Sequence, residues 1–142
     1  MSSYSETCLD SNLLVRSVLP KRYPEIMSLW REWLQDKVAL HAPALVHYEV
    51  INALHQIRKA GQLPADRVDL ALREVLELPI VLHQDKDLHS RALELAAEYT
   101  LPAAYDSQYL ALAERLGVEF WTTDAKLARA VEGRLAWVRL VS

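Results

Sequence analysis

The stretch Ala104–Leu127 reads A-Y-D-S-Q-Y-L-A-L-A-E-R-L-G-V-E-F-W-T-T-D-A-K-L and predicts a helix followed directly by a strand. Asp106 opens the helix, where a carboxylate interacts favourably with the positive end of the helix dipole, and Gly117 ends it. Residues 118–123 are short, β-branched and aromatic, as is typical of a strand. The apolar side chains of the helix recur near every 3.6 residues, at Tyr109, Leu110, Leu112, Ala113 and Leu116.

The lengths of this helix and strand bring Asp124 back towards Asp106. About eleven helical residues at roughly 1.5 Å each carry the chain about 16 Å, and about six strand residues at roughly 3.3 Å return it about 20 Å. If the two elements pack antiparallel, the two carboxylates therefore lie at the same level. Taken alone, either aspartate is an ordinary helix cap or turn residue, so the prediction of a site depends on other acids reaching the same place.

Length and composition indicate a single globular domain over residues 1–142, with 51% apolar and 25% charged residues. No apolar run approaches the roughly 18 residues of a membrane span, and the N-terminus lacks the features of a signal peptide. The one cysteine, Cys8, lies in an apolar run, which favours a buried structural thiol and a cytoplasmic protein. The net charge of −3 disfavours a protein that holds nucleic acid chiefly by a basic surface, but not an enzyme that supplies its own cations.

Short apolar strands alternate with helices along the chain. This alternation predicts an α/β fold in which a mostly parallel sheet of about five strands has helices on both faces. The predicted strands are 7–10, 38–41, 79–83, 118–123 and 137–141. The predicted helices are 11–18, 24–36, 43–59, 64–77, 86–99, 106–116 and 125–131.

Two of the predicted helices carry features beyond simple amphipathic packing. Helix 43–59 opens with Pro43, and its first half is apolar nearly all round, as expected of a buried helix, except for Glu49. Glu49 either belongs to a narrow solvated stripe or points back towards the helix N-terminus and reaches the edge of the sheet. In helix 24–36, Trp30 and Trp33 lie one turn apart and either belong to the core or line a groove for a partner.

Four acids are predicted to meet at one rim of the sheet. Asp10 and Asp124 each end a strand, and Glu49 and Asp106 stand near the starts of helices that face the same edge. Parallel sheets bind ligands beyond the carboxyl ends of their strands, where the strand order reverses. Four carboxylates without a cation repel one another and raise one another's pKa. The cluster therefore predicts a site for Mg²⁺ or Mn²⁺, hard ions that prefer oxygen ligands.

Other catalytic constellations find less support. The five histidines form no H-E-x-x-H motif and the one cysteine is distant from them in sequence, which disfavours zinc. There is no G-x-S-x-G and no glycine-rich phosphate loop. Asp10 stands where haloacid-dehalogenase-type phosphatases keep their nucleophile, but Asn12 and Leu14 depart from the D-x-D-x-[TV] pattern of that alternative.

The chain resembles the PIN domain, and within it the VapC-type toxins of bacterial toxin–antitoxin pairs. The resemblance extends from C-L-D-S-N to W-V-R-L and rests on four short motifs. These are Asp10 in L-D-S-N-L-L, Glu49 in Y-E-V-I-N-A-L, Asp106 in Y-D-S-Q-Y-L-A-L-A and Asp124 in T-T-D-A-K-L. Each motif is short, but their order, spacing and placement at strand ends and helix starts are jointly specific.

This resemblance implies a three-layer α/β/α PIN-like fold and a Mg²⁺-dependent endoribonuclease that cuts single-stranded or looped RNA. Asp10, Asp106 and Asp124 are then the expected metal ligands. Glu49 either binds the ion as well or orients the attacking water and acts as the base. The metal would also cancel the repulsion between the acidic rim and phosphate.

Further residues and partners follow from the same resemblance. Ser11 matches the small residue after the first aspartate, and Thr122 matches the hydroxyl residue two positions before the last one. Both are expected to support the ligands by hydrogen bonds. Arg16, Lys59 and Lys126 are candidate contacts to the RNA backbone. Helices 24–36 and 43–59 carry more apolar surface than a lone domain needs, so the expected partners are a second copy of the chain and a small antitoxin laid into a groove beside the active site. A catalytically silent PIN-like binding module is the rival interpretation, and the complete acid set disfavours it.

Overall fold

The computed structural model describes residues 5–19 and 22–142 and contains one sheet of five parallel strands. In chain order the strands are β1 (Glu6–Leu9), β2 (Ala39–Pro43), β3 (Ile80–His83), β4 (Phe120–Thr122) and β5 (Val138–Leu140). The helices of the described ranges are α1 (Ser11–Ser17), α2 (Pro24–Gln35), α3 (Leu45–Lys59), α4 (Ala65–Glu77), α5 (Lys86–Glu98), α6 (Asp106–Leu116) and α7 (Ala125–Ala130). Residues 1–4, which open the segment considered above for signal-peptide features, lie outside the described residues.

The strand order across the sheet is β3-β2-β1-β4-β5, so β1 lies at the centre. From β1 the chain first builds outward through β2 and β3, and it later returns to the other side of β1 to add β4 and β5. In register, Cys8 of β1 lies opposite His41 on one side and Phe120 on the other. The order reverses between β1 and β4, and the carboxyl ends of these two strands therefore define the crevice where a parallel sheet of this kind binds ligands.

Helices cover the sheet in two groups, as a three-layer α/β/α fold requires. Helices α1, α2, α3 and α4 pack on one another, whereas α5 packs on α6, and α6 lies against β1, β2 and β4. Among the described residues, no helix is both long and apolar enough to cross a membrane. The predicted buried thiol is confirmed, since Cys8 is 0% exposed and burial raises its pKa to about 12.

The stretch that predicts the fold forms the helix α6 as expected, from Asp106 to Leu116. Gly117 ends it with φ 67°, a left-handed conformation that glycine adopts without the steric cost of a side chain. The following strand is shorter than predicted, because regular pairing in β4 begins only at Phe120. Glu119 still accepts a hydrogen bond from the Cys8 amide at 2.9 Å, so the chain is already extended before β4 begins.

Pro43 ends a strand and does not open a helix, in contrast to the prediction. It pairs with His83 across β2 and β3, and α3 begins at Leu45. The residue before a proline is pushed towards extended backbone, which keeps Ala42 in the strand. The Ala44 amide then donates to the His83 carbonyl at 2.9 Å, so the inter-strand hydrogen bonding continues past Pro43.

The structure shows how the apolar side chains of α3 and α2 pack. In α3, Val46, Val50 and Leu54 are buried, but Ile51 is 51% exposed, so the helix is amphipathic and not buried all round. Its packing partners α1, α4 and β2 leave one face to solvent. In α2, Trp30 and Trp33 are buried and pack edge to face at 5.9 Å. The tryptophans therefore belong to the core, as the first of the two interpretations expected.

Candidate active site

Asp10 is the most deeply buried of the four predicted acids, and both of its carboxylate oxygens accept hydrogen bonds. It follows β1 and caps α1, where the Leu13 amide donates to Oδ1 at 2.8 Å. From the end of β4, the Thr122 hydroxyl donates to Oδ2 at 2.6 Å and the Thr123 amide donates to the same oxygen at 3.1 Å. Burial raises the pKa of Asp10, and these hydrogen bonds oppose the rise. The arrangement orients the carboxylate, and Oδ1, which accepts a single hydrogen bond, keeps a lone pair that could bind a metal ion.

Thr122 links Asp10 to Asp124 through a single hydroxyl. Its Oγ1 accepts a hydrogen bond from the Asp124 amide at 3.0 Å and donates to Asp10, so the hydroxyl proton has a defined direction. Asp124 caps α7, with Oδ1 accepting from the amides of Lys126 at 2.9 Å and Leu127 at 3.1 Å. The two strand-end acids are therefore held in a common network across β1 and β4.

Asp106 carries the clearest electrostatic signature of a cluster. It is the first residue of α6 and is half-buried. Burial and then the negative charges of Asp124, Glu49 and Asp10 raise its pKa to about 6. All four predicted acids thus share one electrostatic environment, although they come from four separate parts of the chain.

Glu49 reaches this rim from the second turn of α3. The Tyr109 hydroxyl of α6 donates a hydrogen bond to Glu49 Oε1, and Ser11 lies near both side chains. Burial first, and then the charge of Asp10, raise the pKa of Glu49. Asn52 is exposed on the same helix. The solvated-stripe alternative therefore does not describe the half-buried Glu49.

Tyr109 also belongs to this site, although the sequence pattern predicts it only as part of the apolar stripe of α6. Its side chain is 1% exposed and its ring stacks on Phe120 at 5.5 Å. Burial and the Glu49 carboxylate raise its pKa, so the hydroxyl stays protonated and acts as a donor. A tyrosine on a buried face normally has a partner for its hydroxyl, and that rule was the available signal.

The structure brings two of the three candidate RNA contacts to the rim. The positive charge of Arg16 lowers the pKa of Asp10, and its guanidinium lies over the Tyr23 ring at 4.8 Å. Lys126 is exposed in the first turn of α7, next to Asp124. Lys59 ends α3, ten residues after Glu49 and therefore about 15 Å further along the helix axis. The structure does not bring Lys59 to the acids.

The acids form an open rim and not a closed metal cage. Within residues 5–19 and 22–142, no three His, Cys, Asp or Glu side chains converge closely enough to hold an ion as they stand. In the same part of the chain, no Lys or Arg forms an ion pair with any of the four acids. The rim therefore carries concentrated negative charge that is not neutralised by a direct protein partner.

The sequence profile of the PIN domain matches residues 7–133, a span that contains all four acids. The chain belongs to the PIN domain family. The resemblance noted from the motifs is thus confirmed. Ribonuclease VapC12 of Mycobacterium tuberculosis is 36% identical over 104 residues, which cover 72% of this chain and 77% of that protein.

Other relatives and solved structures agree with the PIN domain assignment. Ribonuclease VapC3 of Mycobacterium tuberculosis is 37% identical over 94 residues, which cover 66% of each chain, just under two thirds of that relative's length. The crystal structure of PAE2754 from Pyrobaculum aerophilum matches with a TM-score of 0.67 at 24% identity, over 93% of this chain and 90% of that one. A toxin-antitoxin complex from Klebsiella pneumoniae matches with a TM-score of 0.58 at 19% identity, over 94% and 99%. These two structures confirm the three-layer PIN fold.

Proposed function

We propose that this PIN domain is a divalent-metal-dependent endoribonuclease and the toxin of a toxin–antitoxin pair. The observation that carries the proposal is that Asp10, Glu49, Asp106 and Asp124 share one rim at the switch point of a parallel sheet, where burial first and then the charges of the other three acids raise the pKa of Asp106. The names of the VapC relatives support ribonuclease activity on RNA. Asp10, Glu49, Asp106 and Asp124 are the residues to which we assign the chemistry.

The residues present fit a hard divalent ion, with Mg²⁺ as our choice and Mn²⁺ as a substitute. Carboxylate oxygens are the ligands these ions prefer, and within residues 5–19 and 22–142 no Lys or Arg pairs directly with the acids of the rim. Mg²⁺ keeps several of its waters and usually binds through one or two carboxylates, so an open rim suits it better than a closed cage. Asp10, Asp106 and Asp124 would hold the ion. When bound, it would activate a water and stabilise negative charge on the phosphate.

Asp10 and Glu49 have separate roles in this scheme. The hydrogen bonds from Leu13, Thr122 and Thr123 hold Asp10 rigidly, so it presents a fixed negative charge at the rim. Glu49 has one oxygen anchored by Tyr109, and we assign the other to orienting the attacking water and accepting its proton. The raised pKa of Glu49 makes it a better proton acceptor than an ordinary surface glutamate.

The partners follow from the same assignment. Arg16, whose charge acts on Asp10, and Lys126, in the first turn of α7, are our candidates for contacts to RNA phosphates next to the rim. We propose that a small antitoxin protein silences the site and that an arginine of this partner pairs with the carboxylates in place of the metal ion.

We also propose that the chain forms a homodimer. Size-exclusion chromatography across micromolar concentrations tests it, and a strictly monomeric chain would remove it.

The central experiment measures cleavage of a fluorescently labelled single-stranded RNA by the purified chain, with Mg²⁺ and with EDTA. Wild type should cut only with the metal, and Asp106→Asn should lose at least a hundredfold in rate while keeping its circular dichroism spectrum. Asp69→Asn is the matched control, because Asp69 is exposed on α4, which carries no site residue. Equal cleavage by wild type and Asp106→Asn at limiting Mg²⁺ would contradict the proposal.

A further inference from the structure

A cavity of about 190 Å³ lies beside the acid rim and has no part in the scheme above. It forms where β2 and β3 end and α6 begins, so it opens at the same edge of the sheet as the four acids. Pro43, Ala44 and Leu45 provide apolar wall. The polar and aromatic lining consists of His83, Gln84, His89, Tyr105 and Gln108.

Tyr105 places an aromatic ring at the mouth of this cavity. It immediately precedes Asp106 in sequence and is 65% exposed, so its ring is accessible to a ligand in the cavity. Proteins that bind single-stranded nucleic acid stack unpaired bases on such rings. Because Tyr105 adjoins Asp106, a base stacked on it belongs to a nucleotide close to the reacting phosphate.

The other lining residues present a defined set of hydrogen-bonding groups. His89 Nδ1 lies 3.0 Å from Gln108 Oε1. The amide oxygen has no proton, so His89 Nδ1 must be the donor. In neutral His89 the other ring nitrogen is then an acceptor, and the amide nitrogen of Gln108 keeps its donors available.

A second histidine is oriented by a chain of hydrogen bonds that runs across the sheet. Glu6 Oε1 lies 2.9 Å from His41 Nε2, and His41 Nδ1 lies 2.9 Å from His83 Nε2. With both rings neutral, His41 donates to the carboxylate and accepts from His83, which leaves His83 Nδ1 as an acceptor. Burial is the largest cause that lowers the pKa of His83, so this ring is neutral at pH 7.

We propose that this cavity is a subsite for one nucleobase of the RNA substrate, next to the scissile phosphate. The inference rests on the proposed ribonuclease function. The cavity is smaller than the roughly 300 Å³ at which pockets for drug-sized ligands begin, so it takes a single ring and not a peptide segment. Two imidazole acceptors and the Gln108 donor favour a base that carries an amino group, so adenine, cytosine or guanine should be accepted better than uracil.

The test uses short RNA oligonucleotides that differ in one base beside the cleaved bond, at pH 7.5 with saturating Mg²⁺. Tyr105→Leu removes the ring and should raise KM about tenfold, whereas Tyr105→Phe keeps the ring and should stay within about twofold of wild type. Tyr48→Leu is the matched control, because Tyr48 is 72% exposed on α3 and does not line the cavity.

A second variant tests the hydrogen-bonding pattern separately from stacking. Gln108→Glu replaces the amide donor by an acceptor and should change the ratio of kcat/KM values among the four bases. Gln56→Glu adds the same charge on the exposed face of α3 and should leave that ratio unchanged.

The outcomes separate this inference from the proposed function. If wild type cuts no RNA in Mg²⁺ or Mn²⁺, the proposed function fails. If wild type cuts RNA but Tyr105→Leu and Tyr105→Phe behave alike, or uracil is accepted best, the subsite assignment is wrong. Loss of antitoxin binding by Tyr105→Leu with unchanged base preference would also overturn it, since the cavity would then belong to a protein partner.

Discussion

At the scale of single residues, Asp10 differs from Glu49 in how its charge is held. Both Asp10 oxygens accept hydrogen bonds, from a helix amide on one side and from the end of β4 on the other. Glu49 is anchored through Oε1 by Tyr109. A carboxylate held at both oxygens suits a fixed charge, whereas one held at a single oxygen suits proton transfer. The two acids are therefore expected to respond differently to removal of their supporting hydroxyl groups.

Tyr109→Phe tests the support of Glu49. The variant keeps the buried ring and its stacking on Phe120 but removes the donor. We expect kcat for RNA cleavage to fall about tenfold, which corresponds to about 1.4 kcal/mol of transition-state stabilisation. In a Glu49→Gln background, Tyr109→Phe should have little further effect, because residues that act through one another are not additive. Additive losses in rate would indicate that Tyr109 does not act through Glu49.

Asp106 makes the metal-free protein less stable as the pH rises. Its pKa is raised to about 6 in the folded chain, so between about pH 4 and 6 the folded state holds more protons than the unfolded state. The free energy of unfolding should therefore decrease as the pH rises through this window and then level off. Solvent and the favourable helix N-terminus limit the penalty to about 1–2 kcal/mol at pH 7.5.

Thermal melting in EDTA between pH 4.5 and 7.5 measures this effect. Asp106→Asn should melt above wild type at pH 7.5, with the two curves converging as the pH falls. Asp69→Asn should show no such pH-dependent difference, because Asp69 lies on the exposed face of α4. A melting temperature of Asp106→Asn below that of wild type at pH 7.5 would argue against a cluster of repelling acids.

At the scale of elements, the Asp85 carboxylate links α5 to α6 and has two structural roles. Asp85 caps α5 by accepting from the Leu88 amide at 2.8 Å, and it also accepts two hydrogen bonds from Arg115 near the end of α6. The hydrogen bonds from Arg115 and then from Leu88 hold its pKa well below the usual range. Since α6 carries Asp106 at its other end, this pairing helps to fix the helix that presents the acid.

Substitutions at Asp85 should have pH-dependent effects that separate these tasks. A lowered pKa contributes stability that is present above the ordinary aspartate value near 4 and is lost as the pH falls. Asp85→Asn keeps a capping acceptor and loses the charge, so it should lower Tm by a few degrees at pH 7 and by less at pH 3. Asp85→Ala also loses the cap and should melt lower than Asp85→Asn at both values. Identical melting of the two variants at pH 3 would show that the cap contributes nothing.

At the scale of the whole molecule, the proposed function implies that the folded rim binds an ion and the unfolded chain does not, so metal binding and stability should be linked. At a Mg²⁺ concentration about 100 times Kd, wild type should gain about 2.7 kcal/mol. For a chain of this length, that gain raises Tm on the order of 5–10 °C. Asp106→Asn should gain much less under the same conditions, while Asp69→Asn should gain as much as wild type. Equal shifts for wild type and Asp106→Asn would mean that the ion is not held by these acids.

The sequence by itself determined the alternation of strands and helices, the bounds of α6 and the four acids. These features are local: a period of apolar residues, a glycine that ends a helix, and carboxylates at the ends of elements are all legible within short windows. The same locality explains the errors. Pro43 looked like a helix start because the strand pairing that keeps it extended comes from His83, 40 positions later. The tryptophans of α2 and the apolar face of α3 could be assigned only when the neighbouring elements were in place.

Only the tertiary structure decided which atoms of the site meet. The Thr122 hydroxyl reaches Asp10 across 112 positions of sequence, and the Tyr109 hydroxyl reaches Glu49 across 60. Both contacts require β1 to lie at the centre of the sheet between β2 and β4, an order that no periodicity encodes. The cavity beside Tyr105 and the separation of Lys59 from the rim arise in the same way. Hydrogen bonds and charges act over a few ångströms, so their partners are set by the packing of distant segments and not by spacing along the chain.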